Sequence, residues 1–283
     1  MKNIIYSSLI LFLFPTSFIF SQEIADKKMQ AGLTGGFGLN LTKMGTAKMD
    51  KNGVGTILNV GVTLHKSFKN SKNLGIGTGL EFDFESIKYK APSDLNVHYY
   101  YNDTRILQQS DVFTNDALNM DSTSSNMLFT LSERTQKPVY ITIPLMLLFR
   151  TDFIGDFRYF GKFGVRNSFL ASNKINDKGM STSMTGINTD NVENENMSAA
   201  GDMFFYRGSV GFTGGAEWNF TGSTSLLVEL GFFYGITPIH WDNKVENRTL
   251  FNFGTNLTNP AEHNYFSNKS NLNQLLFKVA LLF

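Results

Sequence analysis

Along most of the chain, apolar and polar residues alternate with a period of two, the spacing of a strand with one apolar face and not of a helix. The pattern recurs eight times. Ala31, Leu33, Phe37, Leu39 and Leu41 alternate with Gly32, Thr34, Gly36, Gly38 and Asn40, and Leu58, Val60, Val62 and Leu64 with Asn59, Gly61, Thr63 and His65. Ile76, Leu80, Phe82 and Phe84 oppose Gly75, Gly77, Gly79, Glu81, Asp83 and Glu85. A fourth run, Val139, Ile141, Ile143, Leu145, Leu147 and Phe149, has the less polar partner set Tyr140, Thr142, Pro144, Met146 and Arg150. Tyr159, Phe163 and Val165 then alternate with Lys162, Gly164, Arg166 and Ser168, and the run from Phe204 to Phe220 sets Val210, Phe212 and Trp218 against Arg207, Gly211 and Glu217. The last two place Leu226, Val228, Leu230, Phe232 and Tyr234 against Glu229 and Gly231, and Leu275, Phe277, Val279, Leu281 and Phe283 against Gln274, Lys278 and Ala280.

Between these segments short and long connections alternate. Lys66 to Asn73, Thr151 to Asp156 and Thr221 to Ser223 are tight, whereas Lys43 to Gly53, Ile87 to Lys137, Ala171 to Asp202 and Thr237 to Asn271 are long and read as loops. This asymmetry predicts an all-β fold: an eight-stranded antiparallel transmembrane β-barrel with short periplasmic turns and long extracellular loops. In hydrocarbon every backbone polar group must bond within the protein, so the sheet closes and turns its apolar face to lipid. Leu80, Phe82, Val210, Phe212, Leu230 and Phe232 are then expected to face lipid, and Glu81, Gly211 and Glu229 the lumen. A soluble lipocalin-like barrel would give the same alternation with the faces reversed, and a β-sandwich is a further alternative. Aromatics at the segment ends, among them Phe149, Tyr159, Trp218, Phe220 and Tyr234, favour lipid-facing girdles.

The N-terminus carries Lys2, an apolar stretch from Ile4 to Phe14 and the small Ser21 before Gln22, the layout of a cleavable export signal. The expected domains are a signal peptide at 1–21 and the barrel at 22–283. Pro15 and the polar residues after it argue against an uncleaved anchor.

Composition narrows the function. Only 17% of the 283 residues are charged, against about 25% in ordinary soluble domains, and 25 cationic residues meet 24 anionic ones. No basic excess draws nucleic acid. With no cysteine there is no disulfide, thiolate metal site or lipid-bearing Cys. His65, His98, His240 and His263 lack metal-ligand spacing, and Gly75, Gly77 and Gly79 lie within a strand without the spacing of a phosphate loop. No catalytic, cofactor or metal residues are expected, and the protein does not read as an enzyme.

The inward register gathers a lumen charge network of Glu81, Asp83, Glu85, Arg150, Lys162, Arg166, Arg207, Glu217, Glu229 and Lys278. Buried ions must pair, so a lumen of eight strands crossed by such pairs is expected to be plugged. Glu229 and Lys278 are expected to pair across neighbouring strands. Pro144 removes a ladder bond and predicts a local bulge. His98, Tyr99, Tyr100 and Tyr101 form a candidate surface contact, since tyrosine supplies contact area at low entropy cost.

The stretch Val139-Tyr140-Ile141-Thr142-Ile143-Pro144-Leu145-Met146-Leu147-Leu148, followed by Tyr159-Phe160-Gly161-Lys162-Phe163-Gly164, resembles the outer-membrane β-barrel domain family of Bacteroidetes, often termed porin-family or PorT-like. The Phe20-Ser21-Gln22-Glu23 junction and the terminal Phe283 fit the same likeness. The resemblance implies an outer-membrane location, lipid and the barrel-insertion machinery as partners, with Phe283 in the insertion signal, and a secretion complex or a surface ligand as a further partner. A structural or surface-binding role is the first expectation; a narrow channel for small solutes and an accessory role in secretion are the alternatives.

Overall fold

The computed structural model describes residues 28–45, 49–94, 97–102, 105–106, 127–182, 188–198, 203–240, 252–253 and 270–283. The expected leader at 1–21 and His263 lie outside them. In chain order the strands are β1 (Met29–Lys43), β2 (Asp50–Lys51), β3 (Gly55–Ser67), β4 (Leu74–Glu85), β5 (Ile87–Lys90), β6 (Val97–Asn102), β7 (Arg105–Ile106), β8 (Met127–Arg150), β9 (Phe157–Thr182), β10 (Asn188–Met197), β11 (Tyr206–Asn219), β12 (Ser225–Gly235), β13 (Asn252–Phe253) and β14 (Asn271–Leu282).

Eight of these close a ring, β1-β3-β4-β8-β9-β11-β12-β14, with every neighbouring pair antiparallel and β14 returning to β1 from Gly32↔Leu282 to Lys43↔Asn271. Backbone satisfaction explains the closure: a spanning sheet with an open edge would leave donors and acceptors unpaired in lipid. The three tight turns share one end. Gly155 (φ 63°) and Gly222 (φ 70°) occupy left-handed conformations in two of them, where a side chain would be strained. In the second of these turns the Asn219 side-chain oxygen accepts from Gly222 N at 2.7 Å, fixing the loop locally.

The faces are inverted relative to a soluble protein. Phe212 (61%), Leu230 (55%), Leu80 and Phe82 are exposed, while Glu81, Glu229, Asp83 (0%) and Glu217 (0%) are buried. This rules out the lipocalin-like arrangement. Aromatics mark both rims: Phe157 stacks on Trp218, which meets Phe220, at the tight-turn end, and Phe169 packs on Phe205 and Tyr206 towards the other.

Two expectations require correction. The long connections are not simply loops, because β8 and β9 run for 24 and 26 residues where a spanning strand needs about 10. Their outer halves stay paired from Lys137↔Lys174 to Leu128↔Thr182, and β5, β6 and β10 add to them, building a sheet beyond the barrel. Nor is there a bulge at Pro144. It stays in register opposite Arg166, and its carbonyl accepts from Thr78 Oγ1 at 2.8 Å. The register shifts fall instead between Leu131 and Glu133 and between Val139 and Tyr140, leaving Ser132 on β8 and Ala171 on β9 without ladder partners. Both sit at or beyond the end of the barrel's apolar face, and the Ser132 carbonyl accepts from Ala91 N at 3.0 Å.

Candidate functional site

Alternate residues of all eight barrel strands point into the lumen, where their side chains are buried. Glycines make the room: at Gly211 an added Cβ would lie 2.5 Å from the Phe233 ring and 2.2 Å from the Phe232 carbonyl. Gly36 likewise lets the Lys278 stem pass within 2.8 Å of where its Cβ would be.

The buried charges form three tiers. Nearest the tight turns, Arg158 grips Glu217 in a bidentate pair at 2.8 and 2.9 Å, while Gln30 donates to the same carboxylate. Arg150 approaches His65 Nδ1 at 3.0 Å, so that nitrogen accepts. In the middle tier Lys162 donates to Glu229 at 2.5 Å and Lys278 to Glu81 at 2.6 Å. Arg166 bridges Glu81 and Asp83, each at 2.9 Å, and also donates to Gln274. Asn59 donates to both acids and the Thr142 hydroxyl to Asp83, so both carboxylates are held by several donors. In the upper tier Arg207 holds Glu85 at 2.6 and 2.7 Å with its guanidinium 4.1 Å from the Tyr140 ring centre. Gln274 joins the upper two tiers, since its carbonyl oxygen accepts from Arg166 while its amide donates to Glu85.

All ten residues expected in the lumen are therefore buried there. Two further members, Arg158 and His65, complete it. Arg158 precedes the first aromatic taken as the start of its strand, although its spacing of two and four from Phe160 and Lys162 already places it inward. The expected partnership of Glu229 with Lys278 is corrected: the two face each other in the β12–β14 ladder, but their charged ends go elsewhere. Glu229 reaches Lys162 past Gly215 on the intervening β11, and Lys278 crosses to Glu81, which shares Arg166 with Asp83. Side chains meeting in a narrow lumen choose partners across it, not only along the ladder.

Between the lower and middle tiers lies a cavity of about 30 Å³ bordered by His65, Lys162, Glu229 and Lys278, room for a water or two. An apolar cluster lies at the opposite end: Ile87, Tyr89, Tyr99, Phe129, Leu131, Tyr140, Ile175, Met197, Ile239 and Leu272 pack together from the extension and the upper barrel as a cap. Within this cap Arg134 forms a bidentate pair with Asp177 at 2.8 and 2.7 Å, and the Tyr99 hydroxyl donates to the same carboxylate. Burial, reinforced by the Asp177 charge, pushes the Tyr99 phenol well above its ordinary pKa. His240 Nε2 sits between Tyr89 and Gln136. The expected contact surface at His98–Tyr101 is thereby corrected for three of its side chains, since His98, Tyr99 (1%) and Tyr101 are buried; the Tyr100 side chain lies outside the described residues. Tyr99 and Tyr101 are alternate positions of β6 and face the cap.

Among the described residues no group of His, Asp and Glu is arranged to hold a metal ion, and no helix is long and apolar enough to cross a membrane. The strands do the crossing.

Solved structures to which the chain is similar include Neisserial surface protein A (8% identity, 91% of this chain and 98% of that chain, TM-score 0.36) and Ail, the attachment invasion locus protein of Yersinia pestis (10%, 91% and 100%, 0.32). A major outer membrane protein from Thermus thermophilus is similar at 13% identity over 89% of this chain and 99% of that chain, with a TM-score of 0.34. At these values the likeness says nothing about ligand or task. No curated protein matches the chain. The family model described as an outer membrane protein beta-barrel domain matches residues 20–240, from the N-terminal region through β12. With its closed ring, lipid-ready exterior and charged interior, the chain belongs to the outer membrane protein beta-barrel domain family.

Proposed function

We propose that the protein is a non-conducting outer-membrane barrel whose role is structural or surface-binding, a rigid mount for the β-extension on the cell exterior. The observation that carries this reading is the connected run of buried charge, Lys278–Glu81–Arg166–Gln274–Glu85–Arg207, ending beneath the apolar cap. A hydrated ion would have to part several hydrogen-bonded pairs and then cross the cap. Single-channel recording in planar bilayers tests it: the wild-type protein is expected to stay silent, and long-lived openings of uniform amplitude would overturn the reading. An Arg166→Ala/Glu81→Ala variant, which removes the two side chains that link the middle tier across the lumen, serves as the control for detecting conductance.

Export through the 1–21 leader with cleavage before Gln22 belongs to the same reading, and N-terminal sequencing of protein from outer membranes tests it. Phe283 takes part in assembly: its backbone exchanges bonds with Ala31 at 2.7 and 3.4 Å while its ring faces outward. Deleting it is expected to lower insertion by the barrel-assembly machinery. An accessory role in protein secretion, as in PorT-like proteins, is the second reading and draws on the Val139–Leu148 resemblance. Co-purification with a secretion complex from native membranes would support it.

A further inference from the structure

On β8 the outward residues Val139, Ile141, Ile143, Leu145, Leu147 and Phe149 are apolar without interruption. Ten residue steps cover about 33 Å along the strand, or roughly 25 Å along the membrane normal at a tilt near 40°, which is the full apolar band of such a barrel. The next outward position above the band is Lys137, exposed at headgroup level. Directly opposite it on β9 is Lys174, also exposed. Facing residues of an antiparallel pair have Cβ atoms about 5 Å apart, and like charges so placed repel. On the other flank Lys88 of β5 pairs with Thr135, two positions from Lys137 on the same face, and is exposed too.

Of the exposed carboxylates on this surface, Asp50, Glu133 and Glu193 lie higher, beside Lys90 and Lys178, and Glu195 lies on β10 in the irregular stretch between Asn194 and Met197. Glu133 stands in register between Lys90 and Lys178, Lys90 also faces Asp50, and Lys178 reaches Glu193 at 3.5 Å. Among the described residues no carboxylate pairs with Lys88, Lys137 or Lys174; the ammonium of Lys174 donates to the Ser198 hydroxyl at 3.0 Å. Three ammonium groups without counter-charge thus sit on three adjacent strands at the height where lipid headgroups begin, on the long-connection side of the membrane.

We propose that Lys88, Lys137 and Lys174 form a binding site for the phosphates of an anionic lipid in the outer leaflet. The mutual repulsion of the lysines is then relieved by the bound phosphate, while in the higher Glu133 row Lys90 and Lys178 offset two of the three carboxylates Asp50, Glu133 and Glu193 and leave a single net negative charge farther from the membrane. An ammonium on a flexible stem suits a hydrated phosphate whose position varies, and the attraction fades within a Debye length, so the site is salt-sensitive.

The test uses the full chain refolded into phosphatidylcholine vesicles with or without lipid A, a bisphosphorylated glycolipid. Its readouts are lipid A retained per barrel after extraction and the thermal midpoint. Lipid A is expected to raise the midpoint of the wild type. Affinity is expected to fall about fivefold for each lysine changed to glutamine, and K88R/K137R/K174R to keep most of it. Lys90→Gln and Lys178→Gln are expected to leave retention unchanged. Should the triple glutamine variant not fold, Lys137→Gln alone decides: it must hold or gain stability in pure phosphatidylcholine and lose the lipid A increment. Equal lipid A retention by wild type and glutamine variants overturns the proposal. So does an equal gain from inorganic phosphate, which would make this a free-anion site. Neither result bears on whether the lumen conducts.

Discussion

Replacing Lys278 by alanine removes one ammonium from the middle of the lumen, and the structure names the group that suffers. Lys278 is bonded to Glu81 at 2.6 Å, not to Glu229, its ladder neighbour. An orphaned buried charge costs roughly 3–5 kcal/mol. Glu81 keeps Arg166 at 2.9 Å and Asn59 at 3.0 Å, so a loss of about 2 kcal/mol is expected. The sharper quantity is the coupling. A double-mutant cycle between Glu81→Gln and Lys278→Ala is expected to give about 1–2 kcal/mol, whereas one between Glu229→Gln and Lys278→Ala should stay within about 0.5 kcal/mol. Guanidinium unfolding in detergent micelles, followed by tryptophan fluorescence, supplies all the corners. A Glu229/Lys278 coupling equal to or above that of Glu81/Lys278 would refute the assignment of partners across the lumen.

Further outcomes test other levels of the structure. Because the native chain has no cysteine, single cysteines at Leu80, Phe82, Phe212 and Leu230 should react with bilayer-restricted probes, and cysteines at Glu81 and Glu229 should not. Gly211→Leu is expected to cost more than about 2 kcal/mol or block assembly, since its side chain would occupy the space of the Phe233 ring; heat-modified gel mobility reads this directly. Tyr99, in the extension beyond the membrane, has its pKa raised by burial and by Asp177, so its contribution to stability is complete below the unfolded value of about 10 and is lost as pH rises towards the folded one. The thermal midpoint of the wild type should therefore fall faster above about pH 10 than that of Tyr99→Phe; parallel profiles would count against a buried phenol.

The barrel was legible because its strands obey one rule for their whole length: each alternate position meets either lipid or lumen, so Leu80, Phe82 and Phe84 stand apart from Glu81, Asp83 and Glu85 without help from context. The extension obeys a different rule. Ser132 and Ala171 each insert one residue, and past them the inward phase flips, from even positions such as Arg134 and Gln136 to Leu131 and Phe129 on β8, and from Arg166 and Ser168 to Ile175 and Asp177 on β9. A search for unbroken alternation stops at these points. Its buried face is also mixed, with Arg134 and Asp177 beside Ile175 and Phe129, which reads as loop until the ion pair is seen. Within the lumen the register was readable from period alone, but the choice among several opposite charges was not. That choice depends on reach across the barrel, as Lys162 and Glu229 show by meeting over Gly215.

The length of β8 and β9 has a mechanical meaning. Some ten residues of β8 beyond Lys137 remain zipped to β9, about 33 Å of ladder, so whatever is attached at the far tip is carried on a stiff mast continuous with the membrane-embedded wall. A tether would let the tip wander and pay an ordering cost at each encounter; a mast fixes height and heading beforehand. It also makes the protein peel in one direction. Amide exchange protection should decline from the lumen tiers towards Met127 and Thr182, with a step at the buried Arg134–Asp177 ion pair.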